Sequence, residues 1–169
     1  MSARFSPCRT WRYSLTREIA DAQFGCLEED ERDAALTFVG LNPSTADETN
    51  DDPTVRRCIS FARAWGFPRL HVVNLYGFRA TDPRDLWLAA DPVGPENDDV
   101  LAEIFTESQR IILAWGANAR PERVAVFQAK FSAWQLWALG VTKHGAPRHP
   151  LYLRGDLLPF RYVLARAAA

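Results

Sequence analysis

The stretch Leu36-Thr37-Phe38-Val39-Gly40-Leu41-Asn42-Pro43-Ser44-Thr45-Ala46-Asp47-Glu48-Thr49-Asn50-Asp51-Asp52-Pro53 decides how this chain is read. An apolar run stops at Asn42-Pro43, a polar loop with neither lysine nor arginine follows, and Pro53 opens a helical pattern. Proline suits the first helical position, where its missing N–H is not needed. The stretch therefore spells strand, loop and helix N-terminus. In an open parallel sheet, ligands settle where the chain leaves the carboxyl ends of the strands. This loop offers an amide at Asn42, hydroxyls at Ser44 and Thr45, and carboxylates at Asp47, Asp51 and Asp52. The same residue types also cap turns and helices without any ligand, so the surrounding chain has to weigh the two.

Beyond Pro53, apolar residues at Val55, Cys58, Ile59, Ala62 and Trp65 keep helical spacing up to Gly66. Residues 70–75 form a second apolar strand that runs into Tyr76-Gly77-Phe78-Arg79-Ala80-Thr81-Asp82-Pro83. A short helix is expected over 83–90 and a longer one over 95–107. A third strand over 110–115 ends in Gly116-Ala117-Asn118, a helix over 121–132 turns Val124, Phe127 and Phe131 inward, and a fourth strand spans 135–139. Upstream, residues 9–16 alternate polar and apolar through Trp11, Tyr13 and Leu15, a half-buried strand pattern. Residues 17–34 read as loop or short helix.

Strands alternating with helices predict βαβ units and a parallel sheet covered on both faces. The expected architecture is one α/β domain over 1–169. Its core, 36–155, is a three-layer α/β/α arrangement around a mostly parallel four-stranded sheet, with residues 1–35 as an N-terminal strand or hairpin extension. Such a sheet gathers four strand exits along one edge: Asn42 to Thr45; Asn74 with Tyr76, Gly77, Phe78 and Arg79; Trp115, Gly116 and Asn118; and His144, Arg148 and His149. Amides, hydroxyls, aromatics and cations converging in this way make a candidate site. No Gly-x-Gly-x-x-Gly, P-loop or Gly-x-Ser-x-Gly is present.

With 169 residues, 47% hydrophobic and 24% charged, the chain has the makings of one soluble globular domain. A net charge of −1 excludes the broad positive field that drives non-specific nucleic-acid binding. Locally, residues 28–33 carry −4 and residues 140–169 carry +4. Six tryptophans and ten phenylalanines leave aromatic surface to wall a flat ligand. The three cysteines, Cys8, Cys26 and Cys58, form no Cys-x-x-Cys pair, which argues against a disulfide framework, a zinc site or an iron–sulfur cluster and for a reducing, cytoplasmic setting. No apolar run approaches the roughly 18 residues of a membrane span, so no membrane association is expected, and the N-terminus lacks the apolar segment of a secretory signal.

The motifs, in their order, resemble the uracil-DNA glycosylase superfamily across residues 36–155. Gly40-Leu41-Asn42-Pro43-Ser44 is similar to the Gly-Ile-Asn-Pro-Gly motif of its mismatch-specific branch. Val73-Asn74-Leu75 through Arg79 and Asp82-Pro83 resembles the second-strand motif of its thermostable branch. Ile111 to Ala117 is similar to its third strand, and Arg148-His149-Pro150-Leu151-Tyr152-Leu153 to its terminal His-Pro motif. More closely, the whole chain resembles domain-of-unknown-function family 1643. That resemblance rests on Leu41-Asn42-Pro43-Ser44-Thr45-Ala46-Asp47, Asp52-Pro53-Thr54 and Arg148-His149-Pro150-Leu151-Tyr152.

The glycosylase resemblance implies a glycosylase-like fold and a nucleobase pocket, with nucleic acid or a nucleotide as partner; because the cluster cysteines have no counterpart, no cofactor or metal is expected. It makes Asn42 and His149 the catalytic candidates. Asn42 would hold a water against the anomeric carbon, and His149 would donate to the base oxygen or a flanking phosphate. Asn74 would read the edge of a flipped pyrimidine, Tyr76 or Phe78 would stack on the ring, and Arg79, Lys143, Arg148 and Arg154 would take phosphates. Gly40, Pro43, Ser44, Thr45, Asp52 and Trp115 complete the expected substrate-binding set. The chain departs from the pattern at Pro53-Thr54, where the thermostable branch has a stacking Pro-Phe, at Ser44 in place of glycine, and in lacking that branch's cluster cysteines. Besides an N-glycosylase-like hydrolase, two readings stand: a non-catalytic module binding nucleic acid or a modified base, and a metal-dependent small-molecule enzyme using Asp47, Asp51 and Asp52.

Overall fold

The computed structural model describes residues 1–19 and 34–163; Cys26, the acidic run at 28–33 and Arg166 lie outside the described residues. At the centre of the sheet, β3 (Ala35–Gly40) pairs in parallel with β4 (Arg69–Asn74) on one side and β5 (Ser108–Leu113) on the other. β6 (Leu136–Ala138) continues in parallel beyond β5. The edges run the other way. β2 (Arg12–Glu18) lies antiparallel to β4, β1 (Ser2–Phe5) antiparallel to β2, and β7 (Phe160–Arg161) antiparallel to β6.

The order is β1-β2-β4-β3-β5-β6-β7. This corrects the expected fold: the fold is α/β, but its sheet is seven-stranded and mixed rather than a four-stranded, mostly parallel sheet with an appendage. β1 and β7 escape a sequence reading because each is short and lies at an edge, where a strand needs no continuous apolar run. The hairpin of β1 and β2 is part of the sheet itself.

α1 (Pro53–Ala64) forms where the loop predicts it. The Asp52 side chain accepts from Val55 N at 2.8 Å, capping a helix whose first residue is proline. It ends at Gly66, whose φ of 82° an L side chain resists. Phe67 N then donates to Ala62 O and Gly66 N to Arg63 O, which closes the last carbonyls. Val55, Cys58, Phe61 and Ala62 bury against Phe38, Leu70, Val72 and Ile112 on one sheet face. On the other face, α3 (Asn97–Thr106) and α4 (Pro121–Phe131) pack Leu101, Phe105, Phe127 and Phe131 against Val39, Val73, Leu113 and Trp115. A single turn, α2 (Pro83–Leu86), follows β4. Among the described residues, no helix is long and apolar enough to cross a membrane.

One irregularity in β2 sets up the site. Arg4 pairs with Ser14, but Phe5 pairs with Arg12, so β2 carries one extra residue, Tyr13. A bulge of this kind re-aims the side chains beyond it. Leu15 accordingly packs on the α1 face while Tyr13, two residues away, packs on the opposite one.

Candidate functional site

β3, β4, β5 and β6 are parallel, so their carboxyl ends share one edge, and the order of the chain reverses about β3. A cleft of about 600 Å³ opens there, within the range of small-molecule sites. Its apolar depth comes from Phe38, Val55, Cys58, Val72 and Ala114; its polar groups are Arg12, Asn42, Ser44, Asp52, Asn74, Asn118, Arg148 and His149.

Asn42 is held firmly. Leu75 N donates to Gly40 O, Tyr76 N to Leu41 O and Ala80 N to Pro43 O, so the 40–43 loop is laced to the segment after β4. Asn42 Nδ2 donates to Ala80 O at 2.8 Å and to Pro43 O at 3.0 Å. Both partners are acceptors, so the amide orientation is fixed, and Oδ1 is the end left for a ligand.

Asn74, the last residue of β4, is only 3% exposed, and its Nδ2 has no hydrogen-bond partner among the described residues. It lies over Gly40, where a Cβ would come within 2.6 Å of Asn74 Oδ1. A buried donor without a partner costs about 1–3 kcal/mol, and this one lines the cleft.

His149 arrives by a different route. After β6, Arg148 N donates to Gly140 O and Gly116 N donates to Pro147 O, which returns the 147–149 segment alongside Gly116. Gly116 has φ 77°, a backbone conformation an L side chain resists, and a Cβ there would meet His149 Cβ only at an ordinary 3.6 Å. His149 Nδ1 accepts from Leu151 N at 3.4 Å, so in the neutral ring Nε2 carries the proton. Burial holds His149 below its ordinary value, with the nearby Asp52 charge acting the other way.

Arg12, which strand alternation would turn outward, is brought in by the bulge. It is 2% exposed and lines the cleft. Its Nη1 donates to Ala46 O at 2.6 Å, and its Nε has no partner among the described residues. Burial pushes its guanidinium down to about 10, partly offset by Asp52, so it remains a cation at neutral pH. Sequence reasoning missed it; a polar residue within a half-buried strand is the only trace it leaves.

Of the expected site residues, Gly40, Asn42, Ser44, Asp52, Asn74, Trp115, Arg148 and His149 meet in this cleft. Thr45, Phe78 and Arg79 line a second, more open cleft of about 410 Å³ with Arg9 and Thr10; the two clefts share Ser44, Ala80 and Thr81. Tyr76 is core: its ring meets Trp87 edge-on at 5.2 Å, and its hydroxyl accepts from Arg120 N at 3.3 Å. Pro43 is buried in the loop, Lys143 is exposed away from the cleft, and Arg154 pairs with its neighbour Asp156. Exposed Tyr152 stands at the rim, its ring 5.8 Å from His149.

The three loop aspartates do separate structural jobs. Asp47 closes its own turn by accepting from Thr49 N and Asn50 N at 2.9 and 2.8 Å, bonds that hold its carboxyl well below the usual range. Asp51 pairs with buried Arg17 at 2.9 Å, and Asp52 caps α1. Among the described residues, no three His, Cys, Asp or Glu side chains come together as a metal-holding group.

No curated protein and no solved structure significantly matches this chain. Residues 12–151, most of its length, match the family described as "Protein of unknown function (DUF1643)", and the chain belongs to that family.

Proposed function

We propose that the cleft is a nucleobase site and that the protein is an N-glycosylase-like hydrolase acting on a base–sugar bond in a nucleic acid or nucleotide. The observation that carries this reading is the locked Asn42 amide: its acceptor has no partner among the described residues, and it lines a cleft together with His149 and with Asn74, whose donor is likewise unpartnered among them. Glycosidic hydrolysis passes through an oxocarbenium-like transition state. A fixed amide oxygen that orients water is enough to supply the nucleophile, because the developing sugar cation does the activating.

In this scheme the C1′–N bond breaks with its electron pair staying on the ring. The water oxygen, held by Asn42 Oδ1, bonds to C1′, and the proton it sheds ends on the ring nitrogen. Neutral His149 donates from Nε2 toward the departing ring, and Asn74 donates to an acceptor on the ring edge. The open cleft with Arg79 is the place for the sugar–phosphate side. The aspartates' structural roles count against the metal-dependent alternative.

The test is base release from single- and double-stranded oligonucleotides carrying uracil, hypoxanthine, xanthine or mismatched thymine, with Asn42→Ala alongside. Abasic product should fall by about 10²- to 10⁴-fold in the variant. Binding without product on any substrate would replace hydrolysis with a non-catalytic module.

A further inference from the structure

Among the described residues, Arg12 is a buried cation without an ionic partner. Arg17, further along β2, is equally buried but meets Asp51 at 2.9 Å and donates to Asp47 O at 2.6 Å and Thr16 O at 3.0 Å. Arg12 has one backbone carbonyl and no ion pair among the described residues. Asp52 is near enough to act through space, but its carboxylate is engaged on Val55 N. Burying a charge is costly unless the charge is paired. The bulge that inserts Tyr13 places this one against the cleft, and its Nε is unsatisfied among the described residues. Asn74 Nδ2 is a second unsatisfied donor on the same cleft. Two donors without partners, one of them fully charged, define what fits: an acceptor-rich edge carrying negative charge.

We propose that Arg12 is an anion-holding residue, and that the cleft prefers a planar heterocycle with delocalised negative charge over the neutral ring of the same shape. The inference rests on the nucleobase reading and deepens it. In glycosidic cleavage the departing ring holds the electron pair of the broken bond, so a guanidinium here stabilises the leaving group as charge develops.

The experiment compares thymine with 5-nitrouracil, which share a 5-substituted dioxopyrimidine frame but are neutral and anionic, respectively, at neutral pH. Affinities are measured by calorimetry on the wild type, Arg12→Lys and Arg12→Met, with circular dichroism to confirm folding. The wild type should bind 5-nitrouracil about 10- to 100-fold more tightly, as a charge-assisted hydrogen bond implies. The preference should persist in part with lysine and vanish with methionine. Equal affinities in the wild type, binding of neither ring, or a preference that survives in Arg12→Met would each overturn the proposal. The wild-type comparison stands even if Arg12→Met does not fold. A protein that releases no base from oligonucleotides yet prefers the anion would sink the hydrolase reading and leave Arg12's role intact.

Discussion

Substituting Gly40 by alanine tests whether the Asn74 amide is held in the cleft by the shape of the sheet. The new methyl would sit 2.6 Å from Asn74 Oδ1, about 0.8 Å inside the 3.4 Å at which ordinary contact begins. Gly40 and Asn74 are register partners on the two central strands, and Val39, before Gly40, is also paired to β5. The backbone cannot yield that distance without shifting the middle of the sheet, so the amide has to move. Overpacking of this size costs about 1–3 kcal/mol. Asn74→Ala should behave differently. It removes a buried donor without a partner among the described residues, and the relief of about 1–3 kcal/mol offsets the packing lost with the side chain. The variant should therefore be no less stable than the wild type by more than about 1 kcal/mol while ring binding is lost. In the double variant Gly40→Ala/Asn74→Ala the clash is gone, and urea denaturation should show about 0.5–3 kcal/mol of the Gly40→Ala penalty recovered. Strictly additive losses would refute the reasoning, because they would mean that Gly40→Ala acts through something other than Asn74.

Arg17→Met leaves the Asp51 carboxylate and the Asp47 carbonyl without their buried partner. Asp51 keeps some solvent, so the loss should lie at the lower end for a broken buried pair, about 3 kcal/mol by urea denaturation. His71 and His149 are both held below the ordinary imidazole value of 6.5, chiefly by burial. The unfolded chain therefore takes up protons first as pH falls, and stability is full above that value and lost between it and the folded values. Urea midpoints should drop from pH ~7.5 to pH ~5.5, and less so in a His71→Gln/His149→Gln variant.

The elements that could be read from the sequence are those whose signals are local. α1 carries its start at Asp52-Pro53, its apolar face and its stop at Gly66 within one short local stretch, so neighbours had little to add. The loop after β3 was legible for the same reason, and the residues it supplied, Asn42, Ser44 and Asp52, do reach the cleft. What the sequence hides is decided between strands. β1 has no apolar run and exists through its pairing with β2. Tyr76 reads like a stacking ring after a strand end, yet the backbone turns it into the core under Trp87. Arg12 depends on a register shift that no single strand contains. Alternation counted from Trp11, Tyr13 and Leu15 places Arg12 outside; the extra residue in the ladder reverses it.

That reversal also bears on the acidic loop, whose aspartates on the sequence alone fit a metal or a base amino group at least as well as a phosphate backbone. Three arginines of the N-terminal hairpin meet it: Arg9 on Glu48 at 2.8 Å, Arg17 on Asp51, and Arg12 on the Ala46 carbonyl. With Asp47 closing its own turn and Asp52 capping α1, each acid of the loop is engaged before any ligand arrives. The loop's acids are thus engaged in fixing its own shape, and of the cleft's two arginines, Arg12 and Arg148, neither has an ion pair among the described residues and Arg12 is the buried one. The hairpin is therefore one wall of the site, and the family match, which begins at Arg12 rather than at β3, takes in its second strand, β2. On the proposed reading, a cleft with apolar depth, a locked amide acceptor, a neutral histidine donor and a buried cation is better matched to an electron-rich ring than to a metal ion, because its two buried unpartnered groups among the described residues, Arg12 Nε and Asn74 Nδ2, are donors.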